Sequence, residues 1–127
     1  NYDKNEVLRV LKPNGTFIVN QNGSENLHEF LSMYMPFKMR GVWDMNSCAM
    51  TLAEAGFEVV ETKEDKGYIR FHNLRQIQTY FRKVAPEVAE NVAQYKSFYM
   101  NALDQIKQNT YFQLTTYRFL VVAKKNF

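Results

Sequence analysis

The 127-residue chain has one cysteine, Cys48, so it builds no internal disulfide. A reduced, buried thiol in a cytoplasmic protein is the expectation. There is no second cysteine for a Cys-rich metal site, and the two histidines, His28 and His72, lie far apart in sequence. No zinc or other metal is therefore expected. No apolar run approaches the ~20 residues of a membrane-spanning helix. No basic stretch precedes an apolar one, so no secretory signal is visible and no membrane contact is expected. Charge of one sign is also lacking, with 16 Lys and Arg against 13 Asp and Glu. The basic residues are scattered, and no run of them is longer than a pair such as Lys124-Lys125. Despite a pI near 9.0, that balance argues against nucleic acid as a partner. Glycine is scarce at five residues, and none forms G-x-G-x-x-G. There is no internal repeat and no low-complexity stretch.

What is present is a core. Hydrophobic residues make up 46% of the chain and aromatics 15%, which excludes a disordered tail. The length allows one domain or part of a larger one. The chain begins at Asn1 rather than Met, and a helical pattern follows at once. The expectation is a fragment, the C-terminal piece of a longer enzyme.

Glu6 to Leu11 reads as the end of an amphipathic helix, stopped by Lys12-Pro13-Asn14-Gly15. Thr16 to Asn20 is β-branched and aromatic, hence a strand. Ser24 is placed to cap a helix bearing Leu27, Phe30, Leu31 and Tyr34 on one face. Pro36 to Val42 reads as a loop or broken helix. A helix over residues 44–55 follows, capped by Asp44 and closed by Gly56, with Met45, Cys48, Ala49, Leu52 and Ala53 on its buried stripe. Phe57 to Thr62 alternates as a strand. The charged residues 63–66 extend it toward an exposed edge, and 67–71 is extended again or enters a loop. Asn73 caps a helix with Leu74, Ile77, Tyr80, Phe81 and Val84 on one face. Pro86 starts another, running to Gln108, with Val88, Val92, Tyr95, Tyr99, Leu103 and Ile106 at helical spacing. Residues 111–123 form a last strand. Phe119, Val121 and Ala123 lie on one face, Leu120 and Val122 on the other, so a central strand in a covered sheet is expected.

This order is α/β with three strands. The helical crossover between the first two strands favours parallel pairing. The direction of the last strand is left open by the long helical stretch before it.

The segment from Glu6 to Val19, with Arg9-Val10-Leu11-Lys12-Pro13-Asn14-Gly15 at its centre, resembles the "E-x-x-R-V-L-K-P-G-G" passage of class I S-adenosylmethionine-dependent methyltransferases. Asn14 replaces the first glycine there, and Asn also tolerates the left-handed conformation. Leu52 to Val60 is similar to the "L-x-x-A-G-F-x-x-V" that leads into that family's sixth strand, and Arg118 to Lys125 to its closing seventh strand. Phe71-His72-Asn73-Leu74 and Tyr80-Phe81 resemble a bacterial, methyltransferase type 11-like subgroup. Glu87 stands where that subgroup has Trp after the Pro.

The resemblance implies the C-terminal half of a Rossmann-like sheet, with late elements over residues 1–70, a helical insertion over 71–110 and a final strand over 111–127. It implies S-adenosyl-L-methionine as cofactor of the intact protein and a small-molecule substrate. The family's Gly-rich loop and the acid that binds ribose hydroxyls have no counterpart in this sequence. No cofactor-binding residue is therefore assigned, and the chain alone is expected to be inactive. Methyl transfer from a sulfonium mainly needs donor and acceptor aligned, so no catalytic residue need stand out.

Substrates in this fold bind beside the carboxyl ends of the strands. Candidate substrate-binding residues are Asn20 and Asn22 after the first strand, Trp43, His72 and Arg118. Each has a structural alternative: a turn and cap for the asparagines, core packing for Trp43, a capping role for His72 and simple solvation for Arg118. The Tyr and Phe set of the late helices is either core or a lid over a ligand. A rival to the enzyme reading is a non-enzymatic α/β interaction or oligomerisation module. A weaker third is an RNA-modifying methyltransferase. An isolated half-sheet would leave a strand edge open, so self-association is expected.

Overall fold

A computed structural model describes residues 2–34 and 42–127. The loop expected over Pro36 to Val42 falls almost wholly outside the described residues. The first helix, α1 (Lys4–Val10), is set by Asp3, whose carboxylate accepts from the backbone N–H of Asn5 and Glu6 at 3.0 and 3.3 Å. Its other end is held by Lys125, whose ammonium donates to the carbonyls of Leu8 and Leu11 at 2.7 and 3.0 Å. The turn after it places Asn14 at φ 63°, the left-handed conformation that asparagine tolerates. Gly15 is needed there for space, since a Cβ would lie 2.7 Å from Leu11 Cγ.

Strand β1 (Thr16–Asn22) follows, then α2 (His28–Tyr34) and α3 (Met45–Ala55). Ser24 does not cap α2, which begins four residues later. Its hydroxyl accepts from Trp43 N and its own N–H donates to Trp43 O, so a long-range exchange takes the place of the local cap. Helix α3 does carry the expected ends. Asp44 accepts from Ser47 N at 2.8 Å, and Gly56 closes the helix at φ 112°.

Strand β2 (Glu58–Phe71) is a single strand, where the sequence divides it into pieces. It pairs with the last strand, β3 (Phe112–Lys124), along its whole length, so the ladder overrides the charged segment in its middle. Between them lie α4 (Leu74–Val84), α5 (Pro86–Glu90) and α6 (Lys96–Asn109). Asn73 caps α4 through Gln76 N, and Pro86 sits in the first turn of α5. The expected long helix from residue 87 to 108 is broken into α5 and α6. At the break, Asn91 turns its side-chain amide back onto the Glu87 carbonyl at 2.8 Å and competes with helix continuation. The predicted stripe shifts with the break. Val92 and Leu103 are exposed, while Ala89, Phe98 and Ala102 are buried.

The sheet order is β1-β3-β2, and both pairings are antiparallel. The first two strands point the same way but do not pair, because β3 inserts between them. This corrects the expected parallel pairing. It follows from burial: β3 is apolar at most positions and gains most in the centre, whereas the polar middle of β2 tolerates an edge.

The burial of β3 changes face along its length. Phe112 and Leu114 are buried in its first half; Tyr117, Phe119, Val121 and Ala123 are buried in its second. Alternation puts these two sets on opposite faces. The first set packs with Phe30, Phe71, Ile77, Phe81, Val88 and Phe98 under α2 and the late helices. The second packs with Val19, Cys48, Leu52 and Phe57 under α1 and α3. Each half is therefore covered on one face, where both faces were expected to be covered. Leu120 and Val122 stay half-buried on the open side, beside Ile18 at 58% exposure.

Beyond the end of β1, the chain covers the edge of β3 without a strand. The carboxylate of Glu29 accepts from Thr115 N at 2.9 Å, and the Asn26 side-chain carbonyl accepts from Tyr117 N at 2.9 Å. Leu27 N and Gly23 N donate to the carbonyls of Thr115 and Tyr117. Among the described residues no helix is long and apolar enough to cross a membrane.

Candidate functional site

The carboxyl end of β1 opens into a cavity of about 950 Å³. Asn20, Gln21 and Asn22 of β1, Arg118 of β3, Trp43, Thr51 and residues 2–5 at the start of α1 line it. Four of the five residues singled out in the sequence, Asn20, Asn22, Trp43 and Arg118, are thus brought together. His72 is not. It is exposed at the far end of β2, where its backbone N–H donates to Gln76 Oε1 and its ring Nδ1 lies 3.3 Å from the Thr110 carbonyl.

The side chains are held by one another. Arg118 Nε donates to Asn20 Oδ1 at 2.9 Å. This leaves the cation anchored beside an amide at the surface. Trp43 donates its indole N–H to Gln21 Oε1 at 2.8 Å and sets its ring edge-on to Phe119, with centroids 6.2 Å apart. It is both part of the packing and a wall of the cavity. The asparagines lie within β1, paired with Leu120 and Arg118, so neither acts as a turn or cap.

Tyr2, Asp3, Lys4, Asn5 and Thr51 line the cavity without having been singled out, and Gln21 lines it between the two asparagines. The Asp3-x-x-Glu6 spacing is a helix-start signal that would have placed residues 3–5 at an amino end. The bond from Trp43 to Gln21 carries no such signal, since it forms across the fold. Burial, together with the Cys48 thiol 3.6 Å away, pushes the Tyr2 phenol far up, so its proton stays on. Asp3 is committed to α1. Among the described residues the cavity therefore offers amides, hydroxyls, an indole and two cations, Lys4 and Arg118, which suits recognition of a polar ligand by hydrogen bonds.

The described residues do not fit a complete adenine-nucleotide cradle. A Cβ on Gly23 would lie 2.3 Å from the Tyr117 ring, so that glycine serves the protein's own packing, and Gly15 does the same against Leu11. No described glycine lines the cavity, and β1 ends on an amide instead of an acid. Among the described residues no cluster of His, Cys, Asp and Glu is arranged to hold a metal.

No protein-family model matches the chain, and no curated protein matches it either. Among solved structures, 98% of the chain matches the crystal structure of a candidate methyltransferase from Bacillus halodurans, with a TM-score of 0.60 and 16% identity. The chain spans 57% of that protein's length. At that identity the likeness is one of fold, and the chain has a methyltransferase-like α/β fold.

Proposed function

We propose that these residues form the acceptor side of an S-adenosylmethionine-dependent, type 11-like methyltransferase of the cytoplasm that acts on a small molecule. One observation carries the reading. The cavity at the carboxyl end of β1, where α/β folds bind ligands, gathers Asn20, Asn22, Trp43 and Arg118. The methyltransferase-like fold supports it. The nucleotide donor is held by residues outside this chain, in keeping with a chain that spans 57% of its structural neighbour.

The test is label transfer from radiolabelled S-adenosylmethionine by the native polypeptide that carries these residues, offered fractions of a small-molecule extract. The expected result is label in a small-molecule fraction. Arg118→Ala is expected to lower transfer about tenfold, the scale of one charged hydrogen bond, with affinity for S-adenosylhomocysteine unchanged. Absence of both transfer and S-adenosylhomocysteine binding would sink the proposal. The second reading, a non-enzymatic interaction or oligomerisation module, draws on the outer edge of β1, which pairs with no other strand among the described residues. It would gain if the native polypeptide formed a defined oligomer and bound no nucleotide.

A further inference from the structure

A second cavity, of about 420 Å³, lies between α2 and the late helices and shares Asn22 with the first. Phe30, Tyr34, Tyr80, Phe81 and Tyr95 line it. The Tyr34 and Tyr95 rings meet edge-on with centroids 5.0 Å apart, and Phe30 lies 5.3 Å from Tyr34 and 5.8 Å from Tyr95. The Tyr34 hydroxyl accepts from Phe98 N at 3.0 Å, which fixes the ring against the late helices. The rings give a flat apolar group contact area, while the polar lining residues Asn22, Asn26 and Glu87 complete the cavity.

Charge then sets the orientation. Among the described residues that line the second cavity, the one carboxylate or cationic group is Glu87. The first cavity carries Lys4 and Arg118, and its one acid, Asp3, is committed to the amino end of α1. Among the described residues an anionic group therefore finds its cations in the first cavity and none in the second.

We infer that the acceptor is an aromatic acid, with its ring between α2 and the late helices and its acidic head past Asn22 beside Arg118. The volume of the second cavity suits about one or two rings. This rests on the acceptor-site reading above, and it adds the substrate class.

Trp43, the one tryptophan of the chain, lines the first cavity and serves as a fluorescent reporter. The probes are 4-phenylbutyrate, butyrate and 4-phenylbutylamine. Expected is a saturable change in Trp43 emission with 4-phenylbutyrate, at least tenfold tighter than with either of the others. Val84→Phe, at an exposed position on the rim of the second cavity, is expected to weaken 4-phenylbutyrate at least tenfold with the melting temperature unchanged. Leu31→Phe tests the same space should Val84→Phe fold poorly. Equal affinity for butyrate, unaltered affinity in both variants, or no binding at all would overturn the inference. The outcomes separate it from the methyltransferase reading. Ring-dependent binding without methyl transfer by the native polypeptide leaves the pocket and removes the enzyme. Transfer to ringless acceptors does the reverse.

Discussion

Tyr117 ties three parts of the chain together. Its hydroxyl accepts from Met45 N at 3.0 Å and donates to Glu64 Oε2 at 2.7 Å, and its ring fills the space above Gly23. Tyr117→Phe keeps the ring and leaves the Met45 N–H without that partner. Chemical denaturation should show a loss of about 1 kcal/mol, the scale of one part-buried hydrogen bond. Glu29 gives a pH dependence. Burial pushes its carboxyl up, but hydrogen bonds from the Thr115 hydroxyl and backbone N–H together outweigh burial and hold the carboxyl below its ordinary value. Its contribution to stability is present above the unfolded value, about pH 4.3, and is lost as pH falls through the lowered folded value. Thr115→Val removes one of those bonds. An acid titration followed by far-UV dichroism should show a shallower loss of stability in that window than in the wild type. Caps were legible in the sequence because they are local: Asp44, Asn73 and Gly56 each act within three or four residues. Gln21, Ser24 and Glu29 were not, since each acts on a partner that only folding brings near.

At the scale of elements, the expected helices, the turn at Asn14-Gly15 and the last strand were legible, because each rests on periodicity and punctuation. The break between α5 and α6 was missed, since Val92 and Leu103 continue the apolar spacing across a place where Asn91 folds back. The unity of β2 was missed too, because its charged middle is ordered by pairing with β3 and has no apolar alternation of its own. Helix α6 ends at Thr110 with φ 78°, a left-handed conformation that crowds a β-branched side chain. Thr110→Gly should relieve that crowding by about 1 kcal/mol, part of it offset by the freer unfolded chain. A thermal melt should show a rise of a few degrees. A fall would mean that the threonine side chain is worth more to the fold than its strained backbone costs.

For the whole molecule, three sequence stretches in family order carried the α/β fold, and the placement of β3 between β1 and β2 was beyond them. Strand order depends on which strand gains most from being central, a sum over both faces that no single stretch displays. The same arrangement leaves the outer edge of β1 unpaired and Ile18 exposed beside Leu120 and Val122 among the described residues. Self-association through this edge is expected and should appear in sedimentation velocity as a dimer that grows with concentration. Ile18→Lys puts a charge on the exposed face and should shift the equilibrium to monomer. A wild-type monomer at high concentration would count against the edge as a contact.

The edge of β3 beyond β1 behaves differently in time. The amides of Thr115 and Tyr117 are protected by side chains of Asn26 and Glu29 instead of by a neighbouring strand. Their protons can exchange with deuterated solvent whenever the segment from Gly23 to Glu29 lifts away, with the ladder between β2 and β3 still closed. These two positions should therefore exchange together and faster than Val121, and their common rate is a clock for the opening of the segment that carries the chain from the first cavity to the second.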